Sequence, residues 1–295
     1  MALGDKDWLD RMYNNRGLVP EFDQHFSRWQ RDSALAREQQ PYKLDVPYGD
    51  GDAEVLDIFP AQNVQSASVP VLVFIHGGYW RSLDKSDQSM VAPAFAQAGA
   101  CVVIPNYALC PGTDTKPVTV PDIALQMVKA LAWVYRNIAQ HGGDPTRITV
   151  VGHSAGGHLA AMMMTAHWPT YQGDLPARLV KNGMSLSGLF ELETIRQTPY
   201  LQTSLKLTPQ EALQCSPAWM PSPRITNGLS VFYSVVGALE SDEFLRHNGL
   251  IQSSWGHKTV PICEVLPGLN HFSILEALAE PGTHLNRLAL DLLNL

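Results

Sequence analysis

The chain has 295 residues, 45% hydrophobic and 17% charged, which is enough apolar side chain to bury a large core in the ordinary globular class. Its 28 acidic and 21 basic residues give a net charge of -7. That balance repels a phosphate backbone, and no basic stripe with interleaved aromatics offsets it, so nucleic acid is excluded as a partner. The opening MALGDKDWLD has acids where a secretion signal needs a basic region and an apolar run, and no apolar stretch nears the roughly 20 residues that cross a bilayer. A cytoplasmic chain with no membrane partner is expected. Cys101, Cys110, Cys215 and Cys263 are widely spaced without a C-x-x-C pair, and read as reduced, mostly buried thiols rather than a disulfide framework or a zinc site.

Residues 1–40 have helical spacing, a Gly17-Leu18-Val19-Pro20 break and more charge than the rest. They read as a packed helical pair or as a small helical cap over a pocket mouth. From Lys43 onward, strands are predicted over 43–47, 54–59, 70–75, 101–105, 147–152, 183–187, 229–236 and 260–266. Helices are predicted near 86–98, 121–141, 155–166, 241–255 and 283–293. Apolar strands alternating with helices imply α/β architecture, a mostly parallel eight-stranded sheet covered on both faces, in a single domain over 1–295. A second irregular insertion spans 188–228. Within it Thr208-Pro209-Gln210-Glu211 has the pattern of a capping box that starts a short helix, and the Pro-rich tail SPAWMPSPR is not expected to be regular.

The chemistry concentrates in two glycine-rich turns. Gly152-His153-Ser154-Ala155-Gly156 ends a predicted strand and opens a predicted helix, the G-x-S-x-G setting that lifts a serine above a sheet as a nucleophile. The helix N-terminus makes the Ala155 N–H available to a developing negative charge. One donor does not hold an oxyanion. His76-Gly77-Gly78-Tyr79-Trp80, leaving the strand over 70–75, supplies the rest: Gly78 and Tyr79 are the expected loop donors, and Gly77 gives room for the turn.

A serine needs a base. Triad order in this architecture is Ser, then Asp or Glu, then His, and His271 lies beyond the last predicted strand, after the Pro267-Gly268 break. His153 and His158 flank the serine too rigidly to take its proton and read as packing or pocket-lining residues, while His76 braces its own loop. The acid should follow the strand over 229–236, where Glu240, Asp242 and Glu243 compete. Glu240 is the first after Gly237; Asp242 suits the N-terminal turn of the next helix. Tyr79, Trp80, Trp219 and Phe272, with His153, are expected to wall the substrate site, although core packing is an alternative for the aromatic residues, Trp219 above all. Because the base must be neutral, activity should fall at low pH.

His76-Gly77-Gly78-Tyr79-Trp80 with Gly152-His153-Ser154-Ala155-Gly156-Gly157 resembles the α/β-hydrolase superfamily, and specifically the kynurenine formamidase (arylformamidase) branch close to the hormone-sensitive-lipase-like esterases. The resemblance takes in Tyr13-Asn14-Asn15-Arg16, Gly142-Gly143-Asp144-Pro145, Glu243-Phe244 and Asn270-His271-Phe272. It implies an α/β-hydrolase fold, Ser154 as nucleophile and His271 as base. The family's acid is usually an aspartate in G-x-x-D, and here that register reads Gly237-Ala238-Leu239-Glu240, one methylene longer. The implied reaction is hydrolysis of the N-formyl amide of N-formylkynurenine in tryptophan breakdown, with no metal or organic cofactor. Two alternatives remain: a broad carboxylesterase for short acyl esters, with the same catalytic residues, and a non-catalytic ligand-binding receptor on the same scaffold. The partner expected in each is a small molecule, and a homodimer is compatible with the sequence, since C2 pairs are common among soluble enzymes.

Overall fold

The computed structural model describes residues 5–64, 68–223 and 230–295. Its eight strands are β1 Lys43–Pro47, β2 Val55–Phe59, β3 Val69–Ile75, β4 Cys101–Pro105, β5 Gly143–His153, β6 Val180–Leu186, β7 Phe232–Gly237 and β8 Cys263–Leu266. They form one sheet in the order β1-β2-β4-β3-β5-β6-β7-β8. Only β1/β2 and β2/β4 pair antiparallel; the other neighbours are parallel. The central strand β3 is buried at all seven positions. Val71, Val73 and Ile75 enter one core cluster and Leu72 and Phe74 the other, as alternation on a strand covered from both sides requires.

On one face lie helices Val120–Asn137 and Ala155–Thr165; on the other, Ala92–Gln97, Ser273–Ala279 and His284–Leu293. The registers bring the carboxyl ends of the parallel strands to one level: Ile75 pairs with Gly152, His153 with Leu186, Leu186 with Val235, and Gly237 with Leu266. The loops after β3, β5, β6, β7 and β8 therefore open on a common edge, where open α/β sheets hold their ligands.

Three corrections to the predicted elements have physical causes. β5 begins four residues before the predicted start, because Val69 pairs with Gly143 ahead of a register break that resumes at Val71 and Ile148. β8 begins at Cys263 rather than at 260, and its approach is held by single bonds, Phe232 N–H to the Thr259 carbonyl and Ser234 N–H to that of Ile262. The insertion expected to be irregular holds the helices Glu193–Gln197, Pro199–Leu205 and Pro209–Gln214, and a 3-10 turn at Pro217–Trp219 inside the Pro-rich tail. Proline at N1 starts three of these four segments, since its missing N–H is an orphan there anyway. The predicted Thr208 capping box is present. The tail's Arg224 and the first residue of the strand predicted over 229–236 lie outside the described residues, as does the end of the insertion.

The N-terminal segment folds as helices Lys6–Tyr13, Asn15–Leu18 and Phe22–Gln39. The four cysteines are free thiols, and all but Cys263 are buried. Among the described residues no helix is long and apolar enough to cross a membrane.

Candidate active site

Ser154 sits between β5 and the helix Ala155–Thr165 at φ 56°, ψ -119°, a strained conformation for a residue with a Cβ and one that lifts its Oγ off the sheet. The turn is tight enough that a Cβ added at Gly156 would come within 2.0 Å of the Ile75 carbonyl oxygen. Close packing of the helix start against the end of β3 thus depends on glycine. It also brings the loop after β3 beside the serine. That loop runs through three consecutive positive φ values, Gly78 at 102°, Tyr79 at 49° and Trp80 at 56°. Among the described residues, no group accepts a hydrogen bond from the backbone N–H of Gly78, Tyr79 or Ala155.

His271 Nε2 lies 3.1 Å from Ser154 Oγ, and His271 Nδ1 lies 2.6 Å from Glu240 Oε2. A carboxylate only accepts, so the imidazole proton is on Nδ1, which leaves Nε2 as the acceptor facing the serine hydroxyl. Glu240, with its side chain 1% exposed, also accepts from Ser187 Oγ (2.5 Å) and the Gly237 N–H (2.8 Å). Its buried oxygens thus have three protein donors, counting the His271 Nδ1–H. Asp242 is exposed in the first turn of the helix Asp242–Trp255, and Glu243 is paired with Arg246. The extra methylene of Glu240, relative to aspartate, is accommodated without breaking the contact to His271.

Around this line each histidine has a distinct place. His153 Nε2 donates to the His271 carbonyl (2.8 Å), fixing the loop that carries the imidazole. Burial first, and the neighbouring His271 second, hold His153 down at about 3. His158 donates from Nε2 to the Cys215 carbonyl (2.7 Å) and is pushed to about 4 by burial. His76 stacks on Tyr107 at 4.1 Å and contacts the Gly77 carbonyl and Asn106 Oδ1 through its two ring nitrogens. Asn270 Oδ1 accepts from the N–H groups of Phe272 and Ser273, stiffening the turn on either side of His271.

The serine and imidazole open onto a cavity of about 580 Å³. Tyr79, His153 and Phe272 line it as expected from sequence; Trp80 and Trp219 do not. Trp80, 0% exposed, turns into the core and meets the His158 ring edge-on at 5.0 Å. The left-handed backbone that aims the Tyr79 ring at the cavity sends the next side chain the other way. Trp219, 56% exposed, stands on the short 3-10 turn away from the cavity. In their place the cavity takes Phe26 and Trp29 from the N-terminal segment and Tyr200 from the helix Pro199–Leu205.

A contact missed in the sequence ties these walls to the loop after β3. The Tyr13 backbone carbonyl accepts from both Tyr79 Oη (2.8 Å) and Tyr200 Oη (2.6 Å). Burial raises the Tyr79 hydroxyl well above its ordinary range, which keeps it a donor. The Tyr13 hydroxyl is in turn buried among Thr194, Glu243 and His247 at 2.6 to 2.9 Å. Helical periodicity alone does not reveal a main-chain acceptor. The only signal was the Tyr13-Asn14-Asn15-Arg16 stretch itself.

A serine lifted by a left-handed turn at the carboxyl edge of a mostly parallel sheet is the hallmark of one superfamily; the fold is that of the α/β-hydrolases and the protein is a serine hydrolase. The BD-FAE family model matches residues 56–181, a stretch that includes both glycine turns. The kynurenine formamidase of Danio rerio is 29% identical over 296 residues, 98% of this chain and 96% of that protein. Esterase LipC of Mycobacterium tuberculosis is 34% identical over 146 residues, 48% of this chain and 35% of that protein. A solved structure from Silicibacter sp. tm1040, provisionally described as a thioesterase, superposes with TM-score 0.79 at 26% identity, covering 94% of this chain and 97% of that one. Within the superfamily the chain's affinities lie with kynurenine formamidases and hormone-sensitive-lipase-like esterases.

Proposed function

We propose that Ser154, His271 and Glu240 form a catalytic triad, with an oxyanion hole made by the N–H groups of Gly78, Tyr79 and Ala155, and that the substrate is an N-formyl aryl amide such as N-formylkynurenine. The observation that carries the reading is the unbroken line from Glu240 through the Nδ1–H of His271 to the Ser154 hydroxyl, at 2.6 and 3.1 Å, on the wall of an aromatic-lined cavity. Ser154 Oγ attacks the formyl carbon as its proton passes to His271 Nε2. Glu240 stabilises the resulting imidazolium, and the three amides meet the oxyanion. Collapse breaks the C–N bond, with the proton returning from Nε2 to the departing amine. Water, deprotonated by the same nitrogen, then releases formate from the formyl-serine.

Support for the formyl amide comes from the span of the likeness to the Danio rerio kynurenine formamidase, nearly the whole of both chains, and from Phe26, Trp29, Tyr79, Tyr200 and Phe272 as surfaces for an aryl leaving group. A second reading, a carboxylesterase for short acyl esters, is favoured by the LipC match, which covers about half of this chain. Measuring kcat/KM on N-formylkynurenine against p-nitrophenyl acetate and butyrate separates the two. A higher value on the formyl amide is expected, and preference for the butyrate ester would favour the esterase. Covalent labelling of Ser154 by a fluorophosphonate is expected as well; a protein that resists it would be a receptor and not an enzyme.

A further inference from the structure

We infer that Arg16 and Arg81 form an anion subsite in the wall of the Ser154 cavity, and that it receives a carboxylate carried by the leaving group. The assignment to the leaving group rests on the small-acyl reading above, because a one-carbon acyl group cannot itself carry the charge.

The chain is acidic, yet the described lining of this cavity contains two arginines and neither an aspartate nor a glutamate. Elsewhere Arg28, Arg136, Arg196 and Arg246 each pair with a carboxylate. Among the described residues no carboxylate pairs with Arg16 or Arg81. The Arg16 guanidinium is instead held by aromatic rings, 5.5 Å from the Phe22 centroid and 5.2 Å from that of Phe26. Among the described residues no hydrogen bond of the guanidinium accompanies these ring contacts, so its N–H donors are unspent. Arg81 is positioned by a single nitrogen, Nη1, which donates to the Tyr200 carbonyl and Ser204 Oγ at 3.1 Å each, while the group lies 5.1 Å from the Tyr200 ring centroid. Its other donors remain available.

Tyr200 locates the two cations relative to each other. Burial raises its hydroxyl to about 12, and Arg81 and Arg16 both pull against that rise. The geometry agrees: both arginines line one cavity, Arg81 sits against the Tyr200 ring, and the Tyr200 hydroxyl reaches the Tyr13 carbonyl three residues before Arg16. Asp10, a carboxylate acting on the same hydroxyl, accepts from the Tyr200 N–H at 3.2 Å and is not part of the cavity wall. Two planar forks with unspent donors and no resident counter-ion match a carboxylate, which accepts two parallel N–H bonds. The aromatic walls of the same cavity suit the ring of an aryl leaving group that ends in that charge.

The test compares 4-acetoxybenzoate with its methyl ester, a charged and a neutral aryl acetate of the same shape near the scissile bond. In Arg16→Gln and in Arg81→Gln, the ratio of kcat/KM for the charged over the neutral ester is expected to fall at least about tenfold, and further in the double variant. The ratio is insensitive to the fraction of enzyme correctly folded. Titration calorimetry with 4-hydroxybenzoate reads the same preference without turnover, and an equal loss of affinity is expected. A ratio and an affinity unchanged in both single variants would overturn the subsite. If N-formyl amides prove not to be substrates while the ratio still collapses, the formamidase reading fails and the subsite stands. If formyl amides are cleaved with the ratio unchanged, the reverse holds.

Discussion

Lowering the pH from 7 to 5 should cost this protein several kcal/mol of stability before most carboxylates begin to titrate. The cause is a set of histidines buried as neutral rings. His153 and His158 are held at about 3 and about 4, and burial also lowers His76 and His247. In the unfolded chain a histidine takes up its proton near 6.5. The sign follows: the folded state binds fewer protons than the unfolded one, so the stabilisation is complete above that value and is lost as pH falls toward the folded values. For a ring that stays neutral in the fold, the loss between pH 7 and pH 5 is about 2 kcal/mol. His153 and His158 together account for about 4 kcal/mol, and His76 and His247 act in the same direction. Against a total of about 5–15 kcal/mol for a typical domain, this is a large fraction. The carboxylates held low by their donors, Asp84 and Glu54 among them, lose their contribution only at more acidic pH. Burial lifts Asp57, and its proton uptake opposes the trend slightly. Urea unfolding followed by tryptophan fluorescence at half-unit steps of pH gives the slope directly. His158→Gln keeps a donor for the Cys215 carbonyl and removes one titrating ring, so it should flatten the slope by about one proton. A free energy of unfolding that is level between pH 7 and 5 in the wild type, with an unchanged m-value, would refute the claim that these rings are neutral in the fold.

Other outcomes follow from the site. Ser154→Ala should lower kcat by about 10⁴–10⁶, in line with other triads, and single-turnover assays of rigorously purified protein check it. Glu240→Gln should cost about 10³–10⁴ in kcat by leaving His271 in the wrong tautomer, whereas exposed Asp242→Asn should stay within about twofold. Assaying the two side by side decides which carboxylate serves the base. Tyr79→Phe deletes only the hydroxyl that reaches the Tyr13 carbonyl; kcat should fall about tenfold with KM nearly constant, as expected when an oxyanion donor is displaced rather than a binding surface lost. Trp219→Ala, on an exposed turn outside the cavity, should leave kcat/KM within about twofold, while Trp29→Ala should raise KM and lower the melting temperature by removing a cavity wall that is also core.

The sheet was legible because its pattern is redundant. β3 and the second half of β5, residues 148–153, are buried at every position, and the two glycine turns fall where those runs stop. Ser154, His271 and Glu240 could be selected because strand order restricts which loops reach a common edge. Side-chain direction inside a turn was not legible. Tyr79 and Trp80 are adjacent and both aromatic, yet a pair of left-handed residues sends one into the cavity and the other into the core. Of the short helices over 193–214, the one opened by Thr208 was signalled by its capping box, while the two before it escaped notice because five and seven residues hold too few turns to show a period. The N-terminal helices were visible as helices, but spacing gives only that a face is buried. Which face lines the cavity depends on contacts more than sixty residues away, such as Tyr13 with Tyr79.

The anchor for the two tyrosine hydroxyls is a peptide oxygen, not a side chain. No codon change at position 13 can delete it; substitution there only loosens the plug of Thr194, Glu243 and His247 that seats it. Point mutation can remove the donors one at a time, and whichever remains still grips the same atom. Drift in this stretch should therefore retune the enzyme gradually, and abrupt failure should come from insertions or deletions that shift the main chain itself.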